Sequence, residues 1–106
     1  MGKKQTFTDI ETEGHLACEV APDDRVGVPL HPCAACGAPG FRALAFRFTS
    51  DTGRVAVKSQ GATAKEYVTV RAFCERHAAD VMQDPTAMVW EIVRAHQLAP
   101  LAPEKE

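Results

Sequence analysis

The sequence predicts a small α+β domain in which a cysteine-containing knuckle precedes a three-stranded antiparallel meander, with two C-terminal helices after it. Three observations support this fold class. Short runs within residues 41–73 alternate apolar and polar side chains between turn residues, as half-buried strands do. After Cys74 the apolar residues recur at helical spacing. The segment Pro32-Cys33-Ala34-Ala35-Cys36-Gly37 has the composition of a tight turn. A chain of 106 residues forms one domain at most.

The first part of the chain, residues 1–32, is expected to be an acidic N-terminal arm. It carries 3 basic and 6 acidic side chains. The runs HLACEV and RVGVPL flank Pro22-Asp23-Asp24, which is a turn signal, so a short hairpin is possible within the arm. The domain proper is then expected over 33–98, and residues 99–106, which contain two prolines, are expected to be a disordered tail.

The meander is expected from three runs. FRALAFRFT places Leu44, Phe46 and Phe48 on one face. Ser50-Asp51-Thr52-Gly53 resembles a hairpin turn, RVAVK would return beside the first strand, and YVTVRAF would form the third strand.

Two helices are expected after the meander, over about 75–83 and 85–98. Asp84-Pro85 separates them because the residue before proline avoids the α region and proline is favoured in the first turn of a helix. Asp84 is also a suitable N-cap for the second helix.

Two residue pairs at metal-ligand spacing lie at the two ends of the meander. Cys33 and Cys36 form a C-x2-C pair, and Cys74 and His77 form a C-x2-H pair. Zinc prefers four tetrahedral ligands drawn from thiolate and imidazole, and Cys3His is a common structural set. The sequence therefore predicts one structural Zn²⁺ bound by these four residues.

The order of knuckle, strands and a helix that supplies the last two ligands resembles treble-clef zinc fingers and, more loosely, zinc ribbons. The resemblance covers residues 33 to about 83, on the motif Cys33-Ala34-Ala35-Cys36-Gly37 with Cys74-Glu75-Arg76-His77. Treble clefs and ribbons serve both protein–protein interaction and nucleic-acid binding, so the resemblance leaves both functions open.

The sequence lacks residues that three known classes of protein with similar cysteine or metal motifs require. A zinc deaminase needs glutamate two residues after an upstream His or Cys ligand, and neither His15 nor Cys18 has one there. Thioredoxin-like pairs open a helix, which the GAPG that follows Cys36 prevents. A ββα-metal nuclease uses an Asn, and the chain has none. The protein is therefore expected not to be an enzyme, and no small-molecule substrate is evident.

A second metal site is the remaining possibility for the other ligand-type residues. His15 and Cys18 are three residues apart, and His31 or His96 would complete the set. A cysteine within a strand is more often a buried small apolar residue, and such a histidine is more often solvated.

Two functions from different classes remain. In the first, the chain is an adaptor or assembly module that binds a protein partner or a second copy through apolar residues of the last helix, namely Met88, Trp90 and Ile92. In the second, it binds nucleic acid through the basic residues of 41–76, namely Arg42, Arg47, Arg54, Lys58, Arg71 and Arg76. A net charge of −2 favours the first.

The expected compartment is the cytoplasm. No signal-peptide pattern is visible at the N-terminus, no apolar run approaches the length of a membrane span, and four cysteines without an export signal suit a reducing environment.

Overall fold

A computed structural model describes residues 3–8, 15–23 and 31–101, with side chains described for the last two ranges. These residues form two antiparallel sheets and two helices. The strands are β1 (Lys3–Thr8), β2 (His15–Pro22), β3 (Arg42–Ser50), β4 (Arg54–Val57), β5 (Ala62–Ala64), β6 (Tyr67–Phe73) and β7 (Leu98–Leu101). The helices are α1 (Glu75–Gln83) and α2 (Thr86–His96), and a short 3-10 turn covers Lys58–Gln60.

The larger sheet has the strand order β1-β2-β3-β6, with each neighbouring pair antiparallel. Alternation along β2 and β3 gives this sheet one buried face, because successive side chains of a strand point to opposite sides. The buried members are Leu16, Cys18, Val20, Leu44, Phe46 and Phe48. They join one core cluster with residues from both helices and the smaller sheet.

The expected three-stranded meander is wrong in its pairing. β3 is bonded to β2 on one side and to β6 on the other, so neither of its edges is available to β4. The chain turns at residues 51–53, where Gly53 has a φ of 90°, and β4 enters a separate three-stranded sheet of order β5-β4-β7. Val55, Ala56 and Val57 are all buried there, so β4 is covered on both faces.

The two ends of the described chain are also more ordered than the sequence suggests. β1 and β2 belong to the larger sheet, with Lys3 opposite Val20 and Thr8 opposite His15, whereas residues 1–32 were expected to form an arm. The expected partner of β2, RVGVPL, lies outside the described residues. Leu98–Leu101 pairs with β4 as β7, so the expected disordered tail is wrong for residues 99–101; residues 102–106 lie outside the description.

The two helices are confirmed, with the break where Asp84-Pro85 predicts it. Pro85 is the N-cap of α2, so the expected assignment of the N-cap to Asp84 is wrong by one residue. The Asp84 carboxylate still accepts hydrogen bonds from the Thr86 backbone N–H at 3.2 Å and from the Thr86 hydroxyl at 2.7 Å, just before the helix begins. Neither helix in the described part of the chain is long and apolar enough to cross a membrane.

Candidate metal centre

The knuckle reverses the chain between Pro32 and Pro39, which form an isolated antiparallel bridge. Two hydrogen bonds close the loop: the Cys33 N–H donates to the Ala38 carbonyl at 2.7 Å, and the Gly37 N–H donates to the Cys33 carbonyl at 2.8 Å. Gly37 has a φ of 78°, a left-handed conformation that other residues adopt only with strain. The turn brings the side chains of Cys33 and Cys36 to one side of the loop.

Two backbone contacts dock the knuckle onto the end of the larger sheet. The Ala34 N–H donates to the Ala72 carbonyl of β6 at 2.8 Å, and the Phe41 N–H donates to the Phe73 carbonyl at 2.8 Å. Phe73 is followed at once by Cys74, which is the N-cap of α1. The knuckle and the start of α1 therefore meet at the same corner of the fold.

The first turn of α1 presents the other two ligand-type side chains. The Ala78 N–H donates to the Cys74 carbonyl at 2.8 Å, so the first helical turn is closed. Residues three apart lie on the same side of a helix, which places Cys74 and His77 together. This is the juxtaposition that the C-x2-H spacing predicts.

The four side chains form one cluster. Their ligand atoms, three cysteine Sγ atoms and one histidine ring nitrogen, all lie within 4.8 Å of one another. The Cys36 and Cys74 Sγ atoms are 3.8 Å apart, and the His77 Nδ1 atom lies 3.2 Å from Cys74 Sγ and 3.6 Å from Cys33 Sγ.

These separations can be compared with an ideal tetrahedral site. With Zn–S distances of about 2.3 Å and Zn–N distances of about 2.0–2.1 Å, neighbouring sulfurs lie about 3.8 Å apart and a sulfur and nitrogen about 3.5 Å apart. The three distances given above are close to these values, and the group can hold one metal ion.

Local hydrogen bonds stabilise the thiolate form of Cys33. Burial raises the pKa of the Cys33 thiol, but hydrogen bonds from three backbone N–H groups and one thiol outweigh it and lower the pKa from 9.0 to about 6. The donors are the amides of Cys74, Ala35 and Cys36 and the side chain of Cys36. The Ala38 N–H lowers the pKa of Cys36, yet desolvation and its sulfur neighbours together raise it.

The structure does not bring together the residues considered for a second metal. His15 and Cys18 are three apart in β2 and so lie on opposite faces: His15 is exposed, while Cys18 is fully buried. Burial is the main cause that raises the pKa of Cys18 to about 12, which keeps it a neutral thiol. His31 is exposed and lines a surface groove beside β6.

The apolar residues of α2 are mostly core and not surface. Met88, Val89, Ile92 and Val93 form one buried stripe along the helix. Ile92 is fully buried and Met88 is buried, so neither is presented to a partner, contrary to expectation. Trp90 is partly buried against the core, with the Arg94 guanidinium 6.0 Å from its ring centroid.

The six basic residues considered for nucleic-acid binding are distributed over both sheets, a turn and α1. Arg42, Arg47 and Arg71 lie on β3 and β6, Arg54 and Lys58 belong to the smaller sheet and its turn, and Arg76 is on α1. The Arg47 guanidinium pairs with the carboxylates of Glu66 and Glu19. Arg54 donates to the Thr63 hydroxyl at 3.2 Å. Within the part of the chain that the structure describes, Arg47 and Arg54 thus have side-chain partners.

The exposed apolar side chains lie elsewhere and were missed from the sequence. Phe41, Val68 and Val70 are 57%, 48% and 37% exposed. Alternation along YVTVRAF shows that Val68 and Val70 share a face of their strand, but it does not show which face is buried.

Comparison of the chain with protein-family models, with curated proteins and with solved structures finds no match in any of the three.

Proposed function

We propose that this protein binds one Zn²⁺ through Cys33, Cys36, Cys74 and His77, and that the ion is structural in a non-enzymatic module for protein–protein interaction. The observation that supports this most strongly is the spacing of the four ligand atoms, all within 4.8 Å and close to tetrahedral separations. The arrangement of knuckle and helix start is the one that a treble-clef finger uses.

Zinc is the metal that suits this donor set. Thiolate and imidazole ligands in tetrahedral geometry select zinc over the harder cations Mg²⁺ and Ca²⁺, which prefer oxygen. Four protein ligands complete a tetrahedral shell and leave no position for a water nucleophile, which is the difference between a structural and a catalytic zinc. The closed shell supports a structural role for the ion, and a non-enzymatic module is the proposal that accords with it.

The ion would hold together three parts of the fold that meet at one corner: the knuckle, the end of β6 and the start of α1. Cys33 and Cys36 belong to the knuckle, and the other two ligands belong to the first turn of α1, directly after β6. Two backbone hydrogen bonds, from Ala34 to Ala72 and from Phe41 to Phe73, dock the knuckle on β6, and the ion would add a link between the knuckle and α1. Zinc would therefore make the end of β6 and its flanking surface rigid.

A rigid surface with exposed apolar side chains supports an interaction role. Val68 and Val70 are exposed next to each other on one face of β6, and an exposed apolar patch supports a contact role, whereas Phe41 is exposed singly and away from this face. The basic side chains, by contrast, are spread over both sheets and α1 and include Arg47, which is neutralised by two glutamates.

Metal reconstitution with matched variants tests the site. The metal-free protein is titrated with Co²⁺, whose visible spectrum reports tetrahedral thiolate ligation, and then with Zn²⁺. One equivalent is expected to bind. Cys36→Ser should lose the thiolate spectrum, while Ala35→Ser, which adds the same hydroxyl one residue away, should keep it. An unchanged spectrum in Cys36→Ser would contradict the proposed ligand set.

A nucleic-acid titration tests the interaction role. The zinc-loaded protein is mixed with mixed-sequence DNA and RNA over a salt series, and fluorescence anisotropy is recorded. Little binding is expected at low salt. Tight binding that weakens steeply with salt would overturn the proposal in favour of phosphate contacts, because counterion release scales with their number.

A further inference from the structure

The two sheets have four outer edges, and three of them carry features that prevent pairing with another chain. β1 contains Lys3 and Lys4, and β5 is three residues long. β7 contains Pro100, which has no N–H to donate. Charges, short length and proline are the usual means by which natural edge strands avoid association. β6 is the exception: its sequence YVTVRAF is seven residues long, has no proline and is mostly apolar.

The backbone groups on the open side of β6 can be identified from two hydrogen bonds. Phe73 accepts from Phe41 on the β3 side, whereas Ala72 accepts from Ala34 of the knuckle on the opposite side. Because backbone groups alternate along a strand, Val68 and Val70 point their N–H and C=O outward with Ala72. The described parts of the chain supply no hydrogen bond to these outward groups of Val68 and Val70.

We propose that the partner of this module is a second copy of the same chain, and that the two copies join their β6 strands antiparallel about a two-fold axis at Thr69. The inference rests on the proposed interaction role and names its surface and partner. We assign the partner as a second copy because, in this register, each exposed valine of β6 lies opposite an exposed valine of the other chain.

The register follows from the two-fold axis. Antiparallel pairing centred on Thr69 sets Val68 of one copy opposite Val70 of the other, and the reverse. Both residues point their backbone groups outward, so each pair exchanges two N–H···O bonds. Their side chains lie on the same exposed face, so Val68 of each copy packs beside Val70 of the other.

The flanking residues agree with this register. On the other face, Tyr67 lies opposite Arg71 of the second copy, a pairing of an aromatic ring with a cation. Glu66, which precedes Tyr67, stays paired with Arg47 of its own chain and takes no part in the contact. In each copy, the hydrogen bond from Ala34 to Ala72 occupies the edge of β6 next to Arg71, so the paired region stops at Arg71.

The test is sedimentation velocity of the zinc-loaded full chain. Five residues from each copy make a small interface, and small interfaces associate reversibly, so a wide concentration range is needed. A monomer–dimer equilibrium is expected. Val70→Lys should raise the dimer Kd by at least about tenfold, or about 1.4 kcal/mol. Phe41→Lys, at the most exposed apolar residue away from this edge, should leave the Kd unchanged.

Cross-linking tests the register. Opposite residues of a non-hydrogen-bonded pair have Cα atoms about 4.5 Å apart, within the disulfide range of about 4.4–6.8 Å. Thr69→Cys is therefore expected to form a symmetric disulfide under mild oxidation. Val68→Cys, which lies opposite Val70 and not opposite itself, should cross-link more slowly.

Each contrary result has a distinct meaning. A chain that is monomeric at all concentrations, a dimer that survives Val70→Lys, or a dimer that Phe41→Lys abolishes would overturn the β6 pairing. Capture of an extended peptide of another protein by a monomeric chain would also overturn the second-copy assignment. Zinc content is measured on the same samples, so loss of dimer with one zinc per chain refutes this inference alone, whereas absence of zinc refutes the proposed function.

Discussion

Substitution of Cys36 offers the clearest test of how much a bound ion stabilises the fold. Cys36 is exposed, whereas Cys33 is buried in the core cluster. Cys36→Ser therefore removes one metal ligand with little damage to packing. Most of the core, including Phe46, Phe48 and Ile92, belongs to the sheets and α2, so we expect the metal-free protein to keep a measurable unfolding transition.

The expected size of the effect follows from linkage. An ion that binds only the folded chain stabilises it by about 4.1 kcal/mol when its free concentration is 1,000 times Kd. In a domain of about 100 residues each kcal/mol shifts Tm by about 4–8 °C, so zinc should raise the wild-type Tm by about 16–33 °C. With three ligands left, Cys36→Ser should gain much less at the same free zinc.

The assay is thermal unfolding followed by circular dichroism in chelator-buffered zinc. Ala35→Ser is the control, since Ala35 is also exposed and adjacent but contributes no ligand side chain. Its zinc-dependent shift should equal that of the wild type. An equal shift in Cys36→Ser, or no shift in the wild type, would refute the assignment of Cys36 to the site.

Three further predictions concern single residues. Because the pKa of Cys33 is lowered to about 6 in the folded protein from 9.0, its thiolate favours the folded state. This contribution to the stability of the metal-free protein should grow from pH 6 to 8 and be lost as pH falls through about 6, which urea unfolding measures. Cys33→Ser should flatten that rise. Cys18, fully buried and with its pKa raised to about 12, should resist iodoacetamide at pH 8 until the chain is unfolded, as mass spectrometry would show; rapid labelling would contradict its place in the core. Ile92→Ala should lower the free energy of unfolding by about 2–5 kcal/mol, against less than about 0.5 kcal/mol for the exposed Glu91→Ala on the same helix; equal effects would show that Ile92 is not packed.

The features that depend on residues close together in the chain could be predicted from the sequence. The alternation in FRALAFRFT identifies the buried face of β3, and Asp84-Pro85 marks the break between the helices. The ligand cluster was also predictable, because C-x2-C and C-x2-H each place two ligands by local geometry. Only their meeting depends on the tertiary fold.

Strand partners were not predictable, because pairing is decided by residues far apart in the chain. The turn at 51–53 suits a hairpin equally well, but β2 occupies the edge of β3 that β4 would need. β7 was hidden by its proline, yet Pro100 lies in an edge strand of the smaller sheet, where a missing N–H is tolerated.

The interaction surface was misplaced for a similar reason. Met88 and Ile92 look like contact residues in the sequence because α2 is rich in apolar side chains. In the fold, α2 is covered along one stripe, and the exposed apolar side chains are on β6 instead. Which face of an element is covered depends on its neighbours and cannot be read from its own periodicity.

The most direct measurement is X-ray absorption at the zinc edge on protein purified without added metal, together with the zinc content per chain. The account predicts about one zinc per chain, with three sulfur neighbours at about 2.3 Å and one nitrogen at about 2.0–2.1 Å. Protein that is purified with no zinc bound, or a first shell made mainly of oxygen and nitrogen, would contradict it.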